Sequence, residues 1–78
     1  MYQIKIYKTM PDSSVTSEHT IPLDFLTLDA AMYHLRKMAD ITGRSYGVGA
    51  RKVSHFNDHS IAVGKYGASE TYKLNQVN

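Results

Sequence analysis

The chain has no cysteine, no tryptophan and only two prolines. Without cysteine it can form no disulfide framework, no thiolate zinc site and no cysteine nucleophile. It also lacks any apolar run approaching the ~20 residues needed to span a bilayer. Its N-terminus alternates like a strand and shows no charged-then-apolar signal pattern. The expectation is a cytoplasmic protein with no membrane partner. Strong charge is missing too, since nine Lys and Arg against seven Asp and Glu leave a net charge of +2. A domain that lives by neutralising phosphates usually carries a denser basic stripe.

What remains is enough for one folded unit. Hydrophobic residues make up 42% of the 78 positions, which favours folding over disorder. No segment is low-complexity or linker-like, and no internal repeat is visible. A single domain over residues 1–78 follows, near the lower size limit for a self-sustaining core.

Periodicity divides the chain. Residues 27–43, TLDAAMYHLRKMADITG, carry a helix signal with a start, a stripe and a stop. Thr27 is the best N-cap, with Asp24 as a rival, and Asp29 suits the positive end of the helix dipole. Leu28, Ala31, Met32, Leu35, Met38, Ala39 and Thr42 fall on one stripe, with Asp29, Tyr33, Arg36, Lys37 and Asp40 opposite. Gly43 offers a left-handed stop.

The flanks read as short strands with period two. In residues 2–8, Tyr2, Ile4 and Ile6 share a face and Gln3, Lys5 and Tyr7 share the other. A turn at Pro11 and Asp12 leads to a second strand over residues 15–23, with Val15, Ile21 and Leu23 inward. Pro22 marks an edge or the exit from the sheet. Residues 51–56, 60–65 and 70–74 give three more strands, with Ile61, Val63, Tyr72 and Leu74 inward. Turns at Asn57 and Asp58, and over residues 66–69, are short enough to demand antiparallel neighbours. The predicted fold is therefore α+β, a two-layer ββαβββ domain. Its mostly antiparallel five-stranded sheet carries one helix packed on one face.

The opening hairpin followed by a helix is similar in element order to the ubiquitin-like β-grasp, over roughly the first half of the chain. The closing three-strand meander departs from that family, in which the first and last strands pair in parallel. The diglycine tail that ubiquitin-like conjugation requires is also missing.

Candidate chemistry is sparse. His55 and His59 in HFNDH are spaced for zinc only on a helix, and they fall here on a strand end and turn. They lack an obvious third ligand, so no metal site is expected. The segment GRSYGVGARK, residues 43–52, combines three glycines with Arg44, Arg51 and Lys52. Glycine-rich backbone and forked arginines can contact phosphate, although the spacing is neither a Walker loop nor a dinucleotide fingerprint. Six tyrosines stand out. Tyr2 and Tyr72 read as core, whereas Tyr7, Tyr33, Tyr46 and Tyr66 read as outward or in loops. Tyrosine offers rigid contact area with a polar tip, as binding surfaces favour. No nucleophile–base–acid arrangement or cofactor motif is present, and so small a domain has little room for a deep pocket beside its core.

The expected function is a small non-enzymatic protein-binding module without cofactors. It would act as an inhibitor or modulator of a larger macromolecular complex, in the manner of phage or mobile-element accessory proteins. The expected contact residues are Tyr7, Tyr66, Lys5 and Lys73 on the sheet face that one helix cannot cover. The alternative is a nucleic-acid-binding module that uses Arg44, Arg51 and Lys52 of the glycine-rich basic loop.

Overall fold

The computed structural model describes residues 1–10, 12, 14–55, 59–65 and 67–77. Tyr66, Pro11 and the turn expected at Asn57 and Asp58 lie outside them. The elements run β1 (Tyr2–Thr9), β2 (Val15–Thr20), α1 (Leu28–Tyr46), β3 (Arg51–His55), β4 (Ser60–Lys65) and β5 (Ala68–Gln76). They form one five-stranded sheet in the order β2-β1-β5-β4-β3, with every neighbouring pair antiparallel. The fold is α+β with the helix packed on the sheet. The first and last strands pair antiparallel at its centre, so the likeness to the β-grasp ends with the opening hairpin and helix.

Apolar alternation in the strands meets the helix stripe in a single core. Ile4, Ile61, Val63, Tyr72 and Leu74 come from the sheet, and Ala31, Leu35 and Ala39 from the helix. Ile4, Leu35 and Val63 are completely enclosed, and each such side chain contributes about 1.5–3 kcal/mol relative to exposure. Tyr2, Ile6, Leu28, Met32 and Met38 pack around this centre. The Thr27 hydroxyl accepts the Ala30 N–H at 3.2 Å, making Thr27 the N-cap.

The helix does not stop at Gly43. It continues to Tyr46 and ends at Gly47, whose N–H donates to the carbonyls of Gly43 and Arg44 at 3.2 and 3.1 Å. Gly47 has a φ of 80°, which a side-chain-bearing residue adopts only at a cost. A mid-helix glycine costs only about 1 kcal/mol against alanine, so Gly43 alone cannot break a helix that is packed on a sheet. The extra turn carries Tyr46 onto the margin of the core, where an outward or loop position was expected.

The second strand also differs. It ends at Thr20, before Pro22, and its register slips opposite Lys8 and Thr9, so that Ser17 faces Lys8 while Val15 faces Thr9. The skipped Thr16 makes a bulge that turns Val15 to the side away from the helix. Val15 and Leu23, both expected inward, are 60% and 47% exposed. Ile21 and Phe25 take over the edge of β1 that β2 leaves. The Ile21 N–H donates to Ile4, and Phe25 exchanges two hydrogen bonds of 2.8–2.9 Å with Tyr2. The Phe25 ring then leans on His34 of the helix at 5.2 Å.

Candidate functional site: the open sheet face

The helix occupies one side of the sheet, and no described element covers the other. Register puts the open side together as three rows. Lys5, Lys73, Ser60 and His55 stand in line across β1, β5, β4 and β3. Tyr7, Thr71, Ala62 and Val53 form the next row, and Thr9, Ser69, Gly64 and Arg51 the third. Apart from Lys73 on central β5, the middle strands β5 and β4 contribute small side chains, while β1 and β3 carry Tyr7, Lys5, Val53, His55 and Arg51. The result is a shallow trough with two hollows. One, about 380 Å³, lies over Arg51, Val53, Ala62, Gly64 and Ser69; the other, about 350 Å³, is lined by Tyr7, Thr9, His55, Ser60, Thr71 and Lys73 among others. Gly64 cannot be enlarged, because a Cβ there would sit 2.7 Å from the Ala68 carbonyl oxygen.

The charges on this face do not balance. Lys5 and Lys73 are directly opposed in register, and like charges so placed destabilise a sheet. Glu18 of β2 reaches Lys5 at 3.2 Å. No carboxylate among the described residues lies within ion-pair distance of Lys73 or Arg51. Ser60 shares the row of Lys73 and is the one described polar residue that is buried, at 6% exposure. Its hydroxyl has no hydrogen-bond partner among the described residues and is not sealed from solvent, and Ser60 lines both the smaller hollow and a groove on the helix side.

The structure therefore brings together Tyr7, Lys5 and Lys73 of the expected contact set, while Tyr66 lies outside the described residues. Thr71, expected outward with them, stands beside Tyr7, and the structure adds Ser60, Ala62 and Val53, which their residue types alone did not single out. Their signal was their strand parity with Lys73 and Tyr7, usable only once the strand order is known.

Arg51 lies on the open face, whereas Lys52, one residue on, points to the helix side and pairs with Asp40. A hydrogen bond from Lys52 and its charge hold the Asp40 carboxyl below the usual carboxylate range. Arg44 sits in the last helical turn, beside carbonyls that carry the negative end of the helix dipole. Arg44, Arg51 and Lys52 nevertheless line one hollow of about 420 Å³ between the end of the helix and β3, where Asp40 neutralises Lys52 and Gly47 caps a helix C-terminus that repels anions. His55 lines the smaller open-face hollow, and His59 lines a separate groove between the helix and β4. Among the described residues no three metal-ligating side chains come together.

On the helix side, the Tyr72 hydroxyl donates to Glu70 at 2.7 Å and is also hydrogen-bonded to the Thr42 hydroxyl. Glu70 faces Lys8 at 3.6 Å. Burial pushes the Tyr72 phenol up to about 12, with the Glu70 charge adding to the rise and the Thr42 bond opposing it. These groups fasten the two layers together.

Among the described residues no helix is long and apolar enough to cross a membrane. No known family, curated protein or solved structure matches the chain.

Proposed function

We propose that this domain is a non-enzymatic protein-binding module that docks the open face of its sheet on an acidic surface of a larger protein complex, acting as an inhibitor or modulator. The observation that carries this reading is the uncovered trough itself, with Tyr7 at one margin and uncompensated Lys73 and Arg51 beside small central residues. Small side chains let a partner approach the backbone closely. The tyrosine supplies rigid contact area, and the cations favour an anionic partner and speed its encounter.

A nucleic-acid reading has less support. Single-strand binders combine several stacking aromatics with a cationic track, and Tyr7 is the one described aromatic in these three rows. The alternative built on Arg44, Arg51 and Lys52 has their shared hollow in its favour, but Asp40 already pairs with Lys52 there and Arg44 lies at the negative end of the helix dipole.

The test is a binding isotherm with the partner recovered by affinity capture, run on variants whose melting curves are also recorded. Tyr7→Ala should weaken binding by about 1–2 kcal/mol without unfolding the domain. Loss of affinity at Tyr33, Arg36 or Lys37, with Tyr7→Ala unchanged, would move the interface to the helix.

A further inference from the structure

The centre of the open face has a feature that a generic docking surface does not require. Folding has placed two lysines opposite each other and, among the described residues, supplied a carboxylate to only one of them. Beside the other lies Ser60, a residue only 6% exposed whose hydroxyl still reaches solvent and has no partner among the described residues. Lys73, Ser60, Thr71, Tyr7 and His55 line the same hollow of about 350 Å³. Thr9 lines it too, so the hollow holds the Lys73 ammonium and four hydroxyls able to donate, and none of its described lining residues is acidic.

We infer that this hollow is a carboxylate seat, which takes one Asp or Glu side chain from an acidic segment of the partner protein. The ammonium of Lys73 supplies the charge. The hydroxyls of Ser60, Thr71 and Tyr7 are donors of suitable type for a two-oxygen acceptor, and hydrogen bonds to an ionised acceptor are the strong ones. Bringing in an anion also relieves the repulsion between Lys5 and Lys73, so occupation and the strain of the empty face are coupled. A protein carboxylate suits the site better than a nucleic-acid phosphate. Tight binding of a strand takes several phosphate contacts and successive stacked bases, and among the described residues the face offers one tyrosine, with Lys73 and Arg51 the cations that no described carboxylate pairs.

The inference rests on the open-face reading, and the experiment separates the two. Amide NMR spectra of the intact domain are recorded while a capped hexaglutamate peptide is added at low salt, and in parallel while a six-nucleotide oligothymidine is added. The peptide should shift the amides of Ser60, Thr71 and Lys73 first. Lys73→Gln should weaken it roughly tenfold and Ser60→Ala roughly threefold, as expected for losing a charged and a neutral hydrogen bond. Lys37→Gln removes the same charge from the helix side and should change affinity less than about twofold, as an exposed charge does.

Equal weakening by Lys73→Gln and Lys37→Gln would reduce the effect to net charge and overturn the seat. Shifts centred on Arg44 and Lys52 would do the same, as would an oligothymidine that outcompetes the peptide. With a recovered partner, loss of affinity in Tyr7→Ala but not in Lys73→Gln would reject the seat and leave the docking face standing. Loss in neither would reject both.

Discussion

Tyr72 is the residue where the two layers are tied most closely. Its ring is enclosed by the core while its hydroxyl meets Thr42 of the helix and Glu70 of its own strand. Burial favours the neutral phenol, so its folded-state value of about 12 lies above the ordinary 10. The sign of the linkage follows. Below pH 10 the phenol is protonated in both states and its contribution is complete. Between pH 10 and 12 the unfolded chain releases the proton first, so stability falls as pH rises through that window. Burial raises Tyr46 as well, in the same direction. Chemical denaturation at stepped pH should show the midpoint dropping from pH 10 to 12. Tyr72→Phe should flatten that drop, while lowering stability by about 1 kcal/mol at neutral pH through the lost hydrogen bonds.

The helix is the element in which two glycines that look alike in sequence have opposite roles. Gly43 has helical geometry, and a Cβ there would meet Val63 at an ordinary 3.8 Å. Gly43→Ala should therefore stabilise the domain by about 0.5–1 kcal/mol, since alanine loses less entropy in a helix. Gly47 meets nothing within 4 Å, yet its φ of 80° strains any residue with a side chain. Gly47→Ala should destabilise by about 1 kcal/mol for that conformational reason alone. Thermal melts of the pair are the measurement, and a stability gain in both would mean that the helix ends elsewhere. The edge strands show a comparable contrast. β2 carries a bulge at Thr16 and charged or polar side chains, which blunt edge-to-edge pairing, whereas β3 relies on Arg51 and Lys52.

At the scale of the whole molecule, one helix and one sheet make one core, with no second layer to compensate for damage. Leu35 is fully enclosed at its centre, and Lys37 is on the outer helix face with its ammonium 4.8 Å from the Tyr33 ring. Leu35→Asp would bury an unpaired carboxylate at several kcal/mol, against a total stability of about 5 kcal/mol in so small a domain. It should unfold the protein. Lys37→Asp loses only an exposed cation–π contact and should cost under about 1 kcal/mol. Circular dichroism melts of the two variants decide the matter, and equal stability would invert the assigned helix face. The same two-layer economy leaves the opposite side of the sheet without a covering element among the described residues.

The chain alone determined the helix stripe, the N-cap at Thr27, the inward positions Ile4, Ile61, Val63, Tyr72 and Leu74, and the outward ones Lys5, Tyr7 and Lys73. These follow from periodicities of 3.6 and 2 that are contained within each segment and need no distant partner. Only the tertiary structure decided the rest. Strand order is settled by which apolar faces meet on the helix, and it puts Ile4 opposite Leu74 and Ile6 opposite Tyr72. That register brings Lys5 to face Lys73 and lines Ser60 and His55 up beside them. The bulge at Thr16 turned Val15 outward, and packing against the sheet carried the helix through Gly43. Each of these depends on hydrogen bonds and contacts between residues far apart in the chain, which local pattern cannot encode.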